Sequence, residues 1–171
     1  MTSNLSCLSF LLVGNNQHMR RLLRLILENH GVTSLTEVRD GSEAIEAVRH
    51  KVPDILIADW VMTPMDGLDM TRYLRQSEKS PAQGLPIILL ASTADGNLLP
   101  LAVAAGVSEI VPKPLFVKTL MASVHGIIEN PRPLFRNSGG SSRRYRADEQ
   151  KKAEDSTPKR PRPPSREGLA P

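Results

Sequence analysis

The 171-residue chain predicts an α/β fold, a doubly wound five-stranded parallel sheet with helices on both faces. Two observations predict it. Apolar runs of strand length alternate five times with segments of helical period. The strand runs are also near-continuously apolar, the pattern of strands covered on both sides rather than half exposed to water.

Each element has its own signal. Phe10-Leu11-Leu12-Val13 reads as the first buried strand. Met19, Leu22, Leu23, Ile26 and Leu27 recur at i, i+3, i+4, i+7 and i+8, one stripe of an amphipathic helix that stops at Gly31. Residues 32–38 form a weaker second strand rich in β-branched side chains. Asp40-Gly41-Ser42 marks a turn and a helix cap ahead of Ala44, Ile45, Ala47 and Val48. Pro53 ends that helix, and residues 54–58 form the central strand. A short helix after Gly67 turns Leu68, Met70, Thr71 and Leu74 inward, and a loop follows over 80–84. Ile87-Ile88-Leu89-Leu90 is the fourth strand. The alanine-rich helix 98–105 closes at Gly106, with Pro100 tolerable only near its first turn. Glu109-Ile110-Val111 is the fifth strand, and the last helix, 115–128, aligns Leu120, Val124, Ile127 and Ile128 on one face.

Charge divides the chain unevenly. Residues 131–171 hold 11 of the 22 Lys and Arg but only 5 of the 18 Asp and Glu, so the overall +4 belongs to the tail and the body is slightly acidic. That tail also holds 7 of the 14 prolines and a Ser-Gly-Gly-Ser-Ser run, too little apolar area to offset its ordering entropy, so it is expected to be a disordered basic segment. Aromatic content of 4% argues against a stacking platform for single-stranded nucleic acid. One cysteine, Cys7, excludes an internal disulfide framework and is expected to be a buried small side chain at the start of the first strand. The run 8–13 is too short to span a bilayer and lacks the flanks of a signal peptide, which implies a soluble cytoplasmic protein.

The chemistry-bearing residues collect at strand ends. Asp59 follows Ile55-Leu56-Ile57-Ala58 and precedes Trp60-Val61-Met62-Thr63-Pro64-Met65-Asp66-Gly67. An acid at the carboxyl end of a buried strand is where open α/β sheets place their ligands. Lys113 ends the last apolar run, in Pro112-Lys113-Pro114.

With Phe10-Leu11-Leu12-Val13 followed by Met19-Arg20-Arg21, these motifs make residues 7–129 resemble a response-regulator receiver domain of the stand-alone chemotaxis type, and 130–171 the tail. The resemblance implies the flavodoxin-like strand order 2-1-3-4-5, Asp59 as phosphoacceptor and Lys113 as the phosphate-contacting lysine, with the Lys113–Pro114 bond cis. It also implies a Mg²⁺ held by two acids after the first strand, the acceptor and a backbone carbonyl. Here the acid positions read Gly14 and Asn15, which leaves only Asp59 and the Val61 backbone as ligands if Mg²⁺ binds. The switch positions have also departed from the family's Thr or Ser and Tyr or Phe, to Ala91 with Ser92 beside it and to Ile110.

The function implied is phosphorelay signalling through protein–protein contact with no output domain. The partners implied are a sensor histidine kinase or phosphotransfer protein, and a downstream protein target on the face of the fourth helix, fifth strand and fifth helix. Gly14 and Asn15 favour a degenerate receiver that signals without Mg²⁺ or phosphorylation. A regulator acting on nucleic acid through the basic tail is a rival, weakened by Asp148-Glu149 and Glu154-Asp155 interleaved among its cations. An enzyme of the haloacid-phosphatase type needs a second Asp two residues after Asp59, where Val61 stands, so the chain is read as no enzyme.

Overall fold

The computed structural model describes residues 5–76, 80, 82–92 and 99–130. Five strands and five helices alternate along it. They are β1 (Ser9–Val13), α1 (Gln17–Asn29), β2 (Ser34–Val38), α2 (Gly41–His50), β3 (Ile55–Asp59), α3 (Gly67–Gln76), β4 (Ile87–Ser92), α4 (Leu99–Ala105), β5 (Glu109–Lys113) and α5 (Val117–Glu129). The expected tail, from residue 131 onward, lies outside the described residues.

The sheet has the order β2-β1-β3-β4-β5, and every neighbouring pair is parallel. Successive side chains of a strand point to opposite faces, so each strand feeds two cores. Leu11, Val13, Leu56, Ala58, Ile87 and Leu89 face α2, α3 and α4. Phe10, Leu12, Ile55, Ile57, Ile88 and Leu90 face α1 and α5. Two apolar faces per strand account for the unbroken apolar runs. Removing such a side chain from water contributes about 1.5–3 kcal/mol.

Local signals set the helix ends. Asn16 caps α1 by accepting from the His18 and Met19 N–H groups at 2.9 and 3.2 Å. Asp40 caps α2 in the same way, from Ser42 and Glu43 at 2.8 and 3.1 Å. Gly31 and Gly106, with φ of +91° and +87°, take the left-handed turns that close α1 and α4.

Three expectations need correction. Leu22, expected on the inner stripe of α1, is 42% exposed, because Leu23, Ile26 and Leu27, with Met19 packed beside them, face the sheet and Leu22 lies a residue's rotation away. Cys7 is not buried in the first strand: it lies in a short 3-10 turn, Leu5–Cys7, and is exposed while Leu5 goes into the core. The fifth strand continues through Pro112 to Lys113, since β5 is an edge strand bonded only to β4 and tolerates a residue without an N–H.

Candidate functional site

Strand order brings the site together. β1 and β3 are neighbours with Val13 opposite Ala58, so Gly14, which follows β1, and Asp59, the last residue of β3, meet at the carboxyl edge. Asp59 ends β3 opposite Leu90, and Lys113 ends β5 opposite Ser92. The Lys113 ammonium stands 2.6 Å from Asp59 Oδ1, with the Asp59 side chain 6% exposed and that of Lys113 31%. Among the described residues, Oδ1 has this facing charge and no hydrogen-bond donor.

Gly14 is buried against the other carboxylate oxygen. A β-carbon there would lie 2.7 Å from Asp59 Oδ2, inside van der Waals contact. Asn15 is turned to the backbone. Its Nδ2 donates to the Arg39 carbonyl at 2.9 Å and the Thr63 carbonyl at 3.0 Å, while its Oδ1 accepts from the Thr63 N–H at 2.8 Å. Arg20, one turn into α1, donates to the Gly14 carbonyl and reaches Glu37 on β2. Glu37 also accepts from Arg24 at 2.5 Å, and that bond holds its carboxyl below the usual range against the opposing effect of burial.

The segment after Asp59 is packed closely. Trp60 is buried and its N–H donates to Leu90, while the Val61 side chain is 67% exposed. Gly67 begins α3 directly on Asp59: a β-carbon would meet the Asp59 carbonyl oxygen at 2.5 Å. The sequence motif around Asp66-Gly67 carried no signal of this close approach. Asp66 caps α3 through the Asp69 N–H at 2.8 Å. The Thr63–Pro64 and Lys113–Pro114 peptide bonds are cis.

Of the positions that the resemblance implies as switches, Ala91 is buried, Ser92 is exposed at the end of β4, and Ile110 is partly buried against the core under α3 and α4. Among the described residues, no group of three His, Cys, Asp or Glu side chains is placed to hold a metal ion. Nor is any helix among them long and apolar enough to cross a membrane. A cavity of about 240 Å³ lies at the opposite edge of the sheet, between Ser9, Ser34, Thr36, His50 and Lys51, apart from Asp59.

Arg75 was also missed. From the last turn of α3 it donates to the carbonyls of Gly106, Ala82, Gln83 and Leu85 at 3.1, 3.4, 3.1 and 2.7 Å. Burial lowers its guanidinium to about 10. An arginine at a helix end ordinarily reads as solvated, so no sequence signal pointed inward.

A family model described as "Response regulator receiver domain" matches residues 10–125. The chemotaxis protein CheY of Pseudomonas aeruginosa is 30% identical over 122 residues, covering 71% of this chain and 97% of that protein. The phosphate regulon transcriptional regulatory protein PhoB of Rhizobium meliloti is 31% identical over 121 residues, 71% of this chain but 52% of that protein, so the match spans about half of this longer relative. A putative response regulator from Chloroflexus aurantiacus has a TM-score of 0.65 at 24% identity, over 71% of this chain and 98% of that one. The receiver domain of sensor histidine kinase PA1611 from Pseudomonas aeruginosa, solved with a magnesium ion in its active-site cleft, has a TM-score of 0.63 at 24% identity, over 71% and 98%. At that identity the structural likeness speaks to the fold.

Proposed function

This chain belongs to the response-regulator receiver family, and from that premise we propose that it relays signals in a two-component pathway by protein–protein contact, with its Asp59 crevice held by an ion pair in place of a metal ion. Residues 7–129 form the receiver in this reading, and 130–171 are an appended segment. The observation that carries it is the 2.6 Å contact between Lys113 and Asp59 Oδ1.

Mg²⁺ does not fit the residues present. The ion takes hard oxygen ligands in near-octahedral geometry, usually including carboxylates. Gly14 has no side chain to offer, and Asn15 is committed to three backbone bonds. Among the described residues, Asp59 is the carboxylate that ends β3 in the crevice, and the face of its Oδ1 is taken by an ammonium. One acid against one lysine is already neutral without a cation.

The second reading is that Asp59 is a phosphoacceptor. It is favoured by the position of Asp59 at the carboxyl end of the central strand, with Lys113 near enough to contact an incoming phosphoryl oxygen. Phosphoryl transfer depends on positioning and charge stabilisation, and here Lys113 supplies the charge. In either reading the upstream partner is a sensor histidine kinase or phosphotransfer protein. The downstream target docks on α4, β5 and α5, where Leu101, Val103, Phe116 and Val117 are exposed apolar side chains.

Profiling the full chain against the histidine kinases and phosphotransfer proteins of its source organism tests the proposal. Saturable binding by a cognate partner is expected, and no binding by any of them overturns the relay. Acid-labile label transferred to wild type and lost in Asp59→Asn selects the second reading over the first.

A further inference from the structure

We propose that Asn15 is a positioning residue that locks the loop following Asp59 in place without a cation, and that position 15 is thereby closed as a ligand seat. Its amide ties together the ends of three adjacent strands. Asn15 itself follows β1, Arg39 follows β2, and Thr63 lies in the segment that follows β3. Both N–H groups of the amide are spent on carbonyls and its oxygen takes the Thr63 N–H. Because all three partners are backbone groups of fixed polarity, the amide has one orientation only.

A carboxylate in the same place would be a poorer fit. It would keep the Thr63 N–H but present bare oxygen to the Arg39 and Thr63 carbonyls, which sit at donor distances from Nδ2. Asparagine is therefore what this backbone selects, rather than an aspartate with its charge removed. The neighbouring positions agree. A β-carbon at Gly14 would sit 2.7 Å from Asp59 Oδ2 and displace that carboxylate, and Arg20 holds the Gly14 carbonyl. The segment after Asp59 has a second tie at Met65, whose carbonyl accepts from the Gly41 N–H at 3.2 Å.

Asn15 and Thr63 are both exposed residues, so burial does not shield the Thr63 amide and its protection from exchange reports the Asn15 bond directly. Amide exchange is followed by NMR in the full chain, in Asn15→Ala and in Asn15→Asp. The expected result is a protected Thr63 amide in wild type that exchanges about tenfold faster in Asn15→Ala, with the Trp60 amide, bonded to Leu90 in the sheet, little changed. Asn15→Asp is expected to show no saturable amide shift on Mg²⁺ addition. A wild-type Thr63 amide exchanging at the coil rate, or one indifferent to Asn15→Ala, overturns the lock. Saturable Mg²⁺ binding by Asn15→Asp also overturns it, because position 15 would then be a vacated ligand seat. The wild-type measurement stands even where a variant fails to fold, and none of these results depends on whether the chain binds a kinase.

Discussion

The Lys113 ammonium reaches past an intervening strand to stand 2.6 Å from Asp59 Oδ1, joining the ends of β5 and β3 across β4. The two partners differ in burial, with the carboxylate enclosed and the lysine stem open to solvent on one side. Removing the lysine strands a charge in a poorly hydrated place. Removing the acid leaves an ammonium that can turn towards water.

That asymmetry gives an expected order of stabilities. Lys113→Met should cost about 2–4 kcal/mol, below the upper range for a fully buried pair because Lys113 keeps some solvent. Asp59→Asn, nearly isosteric and neutral, should cost about 1 kcal/mol or less. Urea unfolding with unchanged m-values reads both, and equal losses would contradict the burial argument.

Two glycines crowd the same aspartate from different sides. A methyl at position 14 meets Oδ2 at the end of a side chain, which can turn at the expense of its contact with Lys113. A methyl at position 67 meets the Asp59 carbonyl at 2.5 Å and Leu89 Cδ2 at 2.9 Å, and a backbone oxygen cannot turn away. Gly14→Ala is expected to cost about 1–2 kcal/mol and Gly67→Ala about 2–4 kcal/mol. Thermal unfolding of the two variants would contradict the packing account if their order were reversed.

Glu37 should make part of the stability dependent on acid pH. Its carboxyl is held below the ordinary 4.5, first by the hydrogen bond from Arg24, with burial opposing. A lowered folded value means that this contribution is complete above about 4.5 and fades as pH falls through the folded value. The advantage of wild type over Glu37→Gln in Tm should therefore be largest near neutrality and shrink below pH 4.5. An advantage that stayed constant to low pH would contradict the assignment.

Arg75 should resist conservative replacement. Its planar fork serves four carbonyls at the joint of α3, the 82–85 turn and the end of α4. Arg75→Met leaves those acceptors without the donor and should cost about 2–4 kcal/mol. Arg75→Lys should recover little of that loss, because a point charge cannot span the four carbonyl sites. Full recovery in denaturant titrations of Arg75→Lys would show that charge rather than geometry holds the joint.

Sequence patterning carried the fold because this sheet buries both faces. Leu11 and Leu12 go to different cores, yet both must be apolar, and that doubling makes the strands readable. The Asp40 cap and the inward Thr71 were readable for equally local reasons. The meeting of Asp59 with Lys113 was implied by the resemblance to receiver domains, with each residue at a strand end. What could not be read depends on where loops cross. Asn15 looked like a lost acid because its partners, Arg39 and Thr63, lie 24 and 48 residues away. Leu22 and Leu23 both satisfied the helical pattern, and packing against the sheet chose between them.

The most direct test of the metal-free crevice uses Trp60, the single tryptophan, buried beside Asp59. Its emission is followed while Mg²⁺ is titrated into the full chain, first alone and then with beryllofluoride, which imitates a phosphoryl group on an aspartate. The ion-paired crevice predicts a flat response through the millimolar range, the same in wild type and Asp59→Asn. A saturable change in wild type that disappears in Asp59→Asn would show a working cation site and contradict the account.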